Sequence, residues 1–349
     1  MRAPRMILIA SGGVGPRQQP NARRSRRTFV VVMVALVVAV LGAAATLAHA
    51  TVPGKNGQVV FGRGAPHRLW LVDPDGTGLR KLTVTKGSRL DDDDPDWSAT
   101  GAKIAFTRCA QDAPCQIWTI DPDGTGLTRV GRSAGDDRSQ PAWSPDARTI
   151  AFSRSWGGVR NPSGQIRFSE IDVMRANGSG LRQVTSVTTS SPFSADVGQP
   201  AWSPDGKHIV FAVHNSPLGD PAKGRALFVI DADGSGQRQL TPWSLNGEDP
   251  DWSPDGKLIL FRSGSTREQH GNLFTIDPDA GGLKQLTRYP APKAVFSGSF
   301  SPDGKWITFS RFTAAGPYPA VFVMHPDGTG IRQISKGIYD VGADWGPTS

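Results

Sequence analysis

No acidic residue occurs among the first 50 positions of this chain, and only two cysteines occur in all 349. These two scarcities divide the molecule. The opening segment carries seven arginines (Arg2, Arg5, Arg17, Arg23, Arg24, Arg26 and Arg27), so most of the formal charge of +8 belongs to it. Residues 51–349 hold 32 lysines and arginines against 31 aspartates and glutamates. A nearly neutral body has no electrostatic reason to bind a phosphate backbone, and nucleic acid is excluded as the expected partner. Two cysteines are also too few for a four-thiolate zinc site. Cys109 and Cys115 enclose the short stretch Ala-Gln-Asp-Ala-Pro between two strand-like runs. That spacing suits a local disulfide formed in an oxidising compartment.

The acid-free leader has the three parts of an export signal: a charged stretch at residues 23–27, an unbroken apolar run at residues 29–41, and the small-x-small pattern Ala48-His49-Ala50. Residues 1–50 therefore read as an export signal or, if retained, as an N-terminal membrane anchor, because residues 29–48 suffice for a span of about 20 residues. The Ala- and Gly-rich second half favours cleavage after Ala50. Ser25-Arg26-Arg27-Thr28-Phe29-Val30 resembles a twin-arginine signal, whereas the strongly apolar run fits an ordinary Sec signal. Either route puts residues 51–349 outside the cytoplasm: periplasmic, secreted or held outward on a membrane by the leader alone.

The body is a repeat. One half reads Trp-Ser-Pro-Asp-Gly-Lys followed by alternating apolar residues, as at residues 252–261 and 202–211, with degraded copies from Trp97, Trp143 and Phe300. The other half is an apolar strand, then Asp-Pro-Asp-Gly-Thr-Gly, then a strand ending in Gln-Leu-Thr, as at residues 69–83, 117–130, 227–241 and 321–335. Between positions 97, 143, 202, 252, 300 and 345 the period is 46, 59, 50, 48 and 45 residues. Four strand-like segments per unit at this period indicate a β-propeller. The strands are labelled A to D from the channel outward; Ser-Pro-Asp-Gly forms the A–B turn and Asp-Pro-Asp-Gly-x-Gly the C–D turn. The first unit opens on a B strand near residues 57–61, and the chain closes on an A strand near residues 341–347. The expected fold is thus all-β: a six-bladed propeller of four-stranded blades over residues 51–349, closed by pairing the N- and C-terminal strands in one blade, with no surplus for a second domain.

At these motifs the chain resembles the TolB-type β-propeller repeat, related in form to WD-type repeats, over residues 56–349. The resemblance implies a protein-binding platform in the cell envelope. Similar repeats also build the non-catalytic propeller of prolyl-oligopeptidase-type peptidases and some lyases. The small α/β domain that TolB carries ahead of its propeller has no counterpart, so a Tol–Pal role is not carried over.

Several chemistry-bearing patterns dissolve into this architecture. Gly131-Arg132-Ser133-Ala134-Gly135 matches a nucleophile elbow, but that motif needs a helix behind it and here the next strand A follows. Asp73-Pro74-Asp75-Gly76 resembles the start of a calcium loop, yet the twelfth position is Val84 where a bidentate Glu is required. The repeated Trp97, Trp143, Trp202, Trp252 and Trp345 are expected as packing residues between blades. Binding residues are sought where repetition fails, in the B–C and D–A loops on one face. The third blade's B–C loop, about residues 154–169, carries Trp156, Arg160, Arg167 and Phe168; the fourth blade's, about residues 213–225, carries His214 and Asp220. Three positions before each repeat Trp or Phe stand Asp94, Gln140, Gln199, Asp249, Ser297 and Gly342, a mixed acid and amide ring at the channel mouth, of which the first four are binding candidates. His67, His214 and His270 fall in B–C loops of three blades and are the weak metal or catalytic candidates. No cofactor and no catalytic set is expected. The expected function is a monomeric, non-catalytic scaffold for an envelope or secreted protein. The alternatives are a propeller enzyme of polysaccharide-lyase or hydrolase type, and a sensor module for a small ligand or glycan.

Overall fold

The computed structural model describes residues 51, 53–84, 90–111, 113–132, 135–158, 166–185, 195–215, 224–265, 270–290, 295–312 and 318–348. Blade I contains β1 (Asn56–Gly64), β2 (His67–Val72) and β3 (Arg80–Lys81). Blade II contains β4 (Leu90–Trp97), β5 (Ile104–Ala110), β6 (Ala113–Ile120) and β7 (Thr128–Arg129). Blade III runs through β8 (Asp137–Trp143), β9 (Thr149–Gly158), β10 (Ile166–Arg175) and β11 (Arg182–Gln183). Blade IV holds β12 (Ala195–Trp202), β13 (His208–Asn215), β14 (Arg225–Asp231) and β15 (Arg238–Gln239). Blade V holds β16 (Gly247–Trp252), β17 (Ile259–Ser265), β18 (His270–Ile276) and β19 (Lys284–Gln285). Blade VI holds β20 (Val295–Phe300), β21 (Ile307–Phe312), β22 (Pro319–Met324) and β23 (Arg332–Gln333). The last strand, β24 (Asp340–Pro347), returns to blade I and pairs antiparallel with β1, so that blade is built from both ends of the propeller. The six sheets each have four strands, and successive A strands contact one another around a closed ring. Among the described residues no helix is long and apolar enough to cross a membrane.

Each motif of the repeat has a local job. In Ser253-Pro254-Asp255-Gly256-Lys257 the Ser253 hydroxyl donates to Asp255 Oδ1 at 2.7 Å and accepts from the Leu258 amide at 2.9 Å. Gly256 supplies the positive φ of 70° that the turn needs. In the C–D turn Asp75 Oδ1 accepts both the amide and hydroxyl of Thr77, at 2.8 and 2.7 Å, and Asp73 lies so close to Gly78 that a Cβ there would sit 2.2 Å from a carboxylate oxygen. These hydrogen bonds hold the exposed Asp75 carboxyl below its ordinary range. The closing Thr of Gln-Leu-Thr caps strand C: Thr83, Thr185, Thr241 and Thr287 accept from the amides of Leu69, Ile171, Leu227 and Leu273 at 2.9–3.0 Å.

The core is not central; it is divided into six layers between blades. Trp202 of blade IV packs on Ala151, Ile171 and Val173 of blade III. Trp252 of blade V meets Val210 and Leu227 of blade IV. Phe300, Trp345, Trp97 and Trp143 fill the corresponding seams in turn. All six side chains are at most 5% exposed. Trp345 donates its indole N–H to Gly57 O at 3.1 Å, whereas the indole nitrogens of Trp97, Trp143, Trp202 and Trp252 are buried without a hydrogen-bond partner. Shape rather than polarity therefore selects the large ring at these positions. Replacing Trp252 by Ala should cost about 3–5 kcal/mol through the cavity left. Trp252→Phe loses no hydrogen bond, reproduces the residue found at Phe300, and should cost under about 1.5 kcal/mol. Urea denaturation of both variants checks the difference; equal losses would mean the indole nitrogen contributes after all.

Candidate binding face

The B–C and D–A connections share one face, and the ring of residues three positions before each seam aromatic lies at its centre. Every such position is a β-bulge. Pairing with strand B shifts between Asp93 and Asp96, Ser139 and Ala142, Gly198 and Ala201, Glu248 and Asp251, and Val295 and Gly298. Within these bulges Asp94, Gln140, Gln199 and Asp249 adopt φ of 51°, 55°, 59° and 54°, as does Gly342 at 64°. A side-chain-bearing residue takes this left-handed conformation only when its surroundings hold it there. Here a side chain of the same blade holds Asp94, and side chains of the preceding blade hold the other three. Thr107 Oγ1 donates to Asp94 Oδ2 (2.8 Å) and accepts from the Gln140 amide (2.9 Å). The Gln199 amide donates to Gln140 Oε1 at 3.0 Å, and the Asp249 amide to Gln199 Oε1 at 2.9 Å. The four ring candidates thus form a chain of inter-blade bonds across the seams from II to V. Asp249 is fully buried; burial, with Glu248 adding to it, pushes its carboxyl up to about 7 against the pull of Arg262.

The charged groups around this ring are matched within the fold. Arg63 makes a bidentate pair with Asp340 (2.6 and 2.8 Å), and Arg108 another with Asp92 (2.5 and 2.8 Å). Arg154 bridges Asp136 at 2.7 Å and Asp172 at 2.9 Å. Glu248 receives both Arg225 and Arg262, and Arg262 also reaches Asp249 at 3.2 Å. Buried pairs of this kind contribute little net stability, but removing one partner strands the other.

The three candidate histidines stand in different environments. His67 opens β2, stacks on Tyr339 at 5.4 Å, and places Nδ1 3.1 Å from Asp93 Oδ2 and 3.5 Å from Asp91 Oδ1, off the hydrogen-bond axis. Burial lowers its basicity, but Asp93, Asp91 and Asp94 outweigh it and raise the imidazole to about 9. Without a metal it is held as a cation at neutral pH by these carboxylates. His214 stands next to the end of β13, paired across from Asp196, and burial together with Arg225 lowers it. His270 opens β18 in blade V; its side chain lies outside the described residues. Blades I and IV are opposite one another in a ring of six, and no cluster of three His, Cys, Asp or Glu suited to a metal occurs among the described residues.

In blade III the strands reach further than the alternation suggested. β9 continues to Gly158 and β10 begins at Ile166, so Trp156 pairs with Phe168 and Gly157 with Arg167 in a strand ladder instead of a loop. Backbone pairing carries through Gly157 and Gly158 although they have no side chains to pack. Trp156 is half-buried with the Arg154 guanidinium 5.2 Å from its ring. Arg160, Asp220 and Ser133 lie outside the described residues, as does the leader; of Arg167 and Phe168 only the backbone is described. Cys109 and Cys115 are bonded, with Cα atoms 4.1 Å apart, at the β5–β6 connection.

Sequence reasoning missed a second set of polar residues on the channel side. Asp96, Asp251 and Asp344 each precede a seam tryptophan and accept the amide of the next blade's aromatic: Trp143 at 2.6 Å, Phe300 at 2.7 Å and Trp97 at 2.7 Å. Thr51 also donates to Asp251, at 2.9 Å. The signal was present in the Asp-Trp dipeptides at 96–97, 251–252 and 344–345.

The raised His67 fixes a pH dependence. Its folded value lies above the ordinary 6.5, so the stabilisation, about 3 kcal/mol at most, is complete below pH 6.5 and lost as pH rises through about 9. His67→Gln should therefore be clearly less stable than the parent at pH 6 and nearly equal to it at pH 10. Denaturant melts at the two pH values decide it; a deficit that does not shrink would show that His67 acts by packing alone.

The TolB beta propeller domain family matches residues 181–349. Among solved structures, TolB from Acinetobacter baumannii superposes with a TM-score of 0.66 at 20% identity, covering 95% of this chain and 74% of that one. A putative TolB from Agrobacterium tumefaciens gives 0.56 at 16% identity, covering 84% and 99%. The uncharacterized peptidase YuxL of Bacillus subtilis (strain 168) is 26% identical over 203 residues, 57% of this chain; the match spans only about a quarter of that protein's length. By its repeat, its six closed blades and these likenesses, the chain is a TolB-like β-propeller.

Proposed function

We propose that this propeller is an exported, monomeric, non-catalytic scaffold that binds an envelope or secreted protein through its B–C and D–A face. The observation carrying this reading is that most of the described charged groups of that face are matched to one another, while Trp156, Tyr318 and Ile338 stand there half-buried or exposed. Large side chains over a rigid, internally neutralised base are the usual anchors of a protein interface. The TolB resemblance and the leader support the location. Processing after Ala50 makes Thr51 the first residue of the mature protein and seats it, with its hydroxyl on Asp251 and on Phe300 O, in the channel.

Two measurements test the proposal. Intact mass of the exported protein should correspond to a chain beginning at Thr51; a mass retaining the leader would convert the released form into an anchored one. Crosslinking in the native envelope should capture a defined protein that is lost when residues 156–166 are replaced by a Gly/Ser linker. Capture unaffected by that replacement, or turnover of a polysaccharide or peptide by the purified protein, would overturn the scaffold reading.

A further inference from the structure

Strand B ends in Phe-x-Arg in four blades: Phe61-Gly62-Arg63, Phe106-Thr107-Arg108, Phe152-Ser153-Arg154 and Phe309-Ser310-Arg311. In three of them the guanidinium lies over the strand C aromatic: Arg63 over Trp70 at 4.9 Å, Arg108 over Trp118 at 5.2 Å, and Arg311 over Phe322 at 4.2 Å. The repeat also fixes what faces each arginine from strand A. Arg63 pairs in register with Asp340 and Arg108 with Asp92, and both are held bidentately. Arg154 faces Arg138 and takes Asp136 and Asp172 instead.

Arg311 faces Val295. Its Nε is buried without a hydrogen-bond acceptor, and it makes no ion pair among the described residues. The neighbouring stretches of sequence, residues 291–294 and 313–317, contain no acidic residue. Beside it stands Tyr289, whose ring centre is 4.6 Å from the guanidinium carbon and whose hydroxyl is also buried and unpartnered. Tyr289 is fixed by its backbone: its amide donates to Asn272 Oδ1 at 2.8 Å and its carbonyl accepts from Asn272 Nδ2 at 3.3 Å. Burial raises the phenol above its ordinary range despite the arginine, so it stays protonated and able to donate. A half-buried guanidinium and a phenol, both lacking acceptors in a site where sister blades supply a carboxylate, leave donor capacity that carries a cost unless an anion arrives.

We propose that Arg311 and Tyr289 form a carboxylate-binding subsite at the seam between blades V and VI, taking from a ligand the acid that Asp92 and Asp340 provide internally in blades II and I. The planar guanidinium suits a carboxylate in particular. This rests on the binding-platform reading and names the group a partner presents: an Asp or Glu side chain, or a chain-terminal carboxylate.

Saturation-transfer NMR on the exported protein tests it with three probes. N-acetylglutamate α-amide offers only a side-chain carboxylate, N-acetylleucine only a terminal one, and N-acetylglutamine α-amide is the neutral control. At least one acid should bind saturably in the millimolar range, and which one binds identifies the source; the neutral control should not. Arg311→Gln should weaken binding roughly tenfold or more, as expected for a lost charged hydrogen-bond pair. Val295→Asp should abolish it by restoring the internal pair. Circular dichroism melts confirm that both variants fold, and Arg311→Gln decides the matter if Val295→Asp does not. Equal binding of the neutral control, binding indifferent to Arg311→Gln, or no binding of either acid would overturn the subsite. Such a failure alongside successful crosslinking leaves the platform intact, whereas probe binding with no captured protein points to a small carboxylate as the ligand and sinks the platform alone.

Discussion

Everything in this propeller depends on how one strand A is joined to the next. Among the described residues no strand pairs with a strand of another blade, so each seam is packed by one large aromatic, and at five of the six a side chain also crosses to a backbone amide. Seams I–II, II–III and V–VI use Asp344, Asp96 and Asp251, each accepting from the following aromatic's amide. Seams III–IV and IV–V have Ala142 and Ala201 at the equivalent places, and there Gln140 and Gln199 cross instead, from the bulge on the other side of the strand. Loss of one device coincides with the presence of the other. An amide buried at the centre of a propeller must find an acceptor: the aspartates serve the amide of the next aromatic, the glutamines that of the next bulge, and the remaining seam, VI–I, is crossed by the Ser299 hydroxyl donating to Asp344 Oδ1 at 2.8 Å.

The same constraint separates what could be read in the sequence from what could not. Trp-Ser-Pro-Asp-Gly-Lys and Asp-Pro-Asp-Gly-Thr-Gly announce their turns locally, because proline, glycine and short acids act within four residues of themselves. The shared blade was legible from an unpaired B strand at one end and an unpaired A strand at the other. By contrast, Gln140 and Asp249 were legible only as binding candidates in a polar ring, since nothing nearby in sequence marks a left-handed bulge. Their role appears only when the neighbouring blade is in place. Register has the same effect on Arg63, Arg108 and Arg311: the bulge moves each pairing, so no count along the chain links Arg108 to Asp92 or Arg311 to Val295. Trp156 and Phe168 were read as loop because Gly157 and Gly158 interrupt the alternation that usually marks a strand.

A division of labour between the two faces follows. The A–B and C–D turns are nearly identical from blade to blade and are stabilised by contacts within each turn. On the other face the connections differ in length and composition, and most of the described charges on the strands beneath them are held in pairs specific to a blade. Variation is tolerated there because the ring beneath is already complete. Arg311, the one Phe-x-Arg arginine without an acid among the described residues, stands out against this pattern, since the sister blades show what the fold does when it needs that charge neutralised.

Closure of blade I also sets how the molecule bears a load. Asn56 lies opposite Pro347, and the Thr348 amide donates to Lys55 O at 2.9 Å, so the chain enters and leaves the propeller at the same end of the β1–β24 ladder. Tension applied between the two ends therefore acts across that ladder and opens its hydrogen bonds one after another, as a zip opens, instead of straining them together in shear. A ring whose six seams are closed all round is in this one direction mechanically soft.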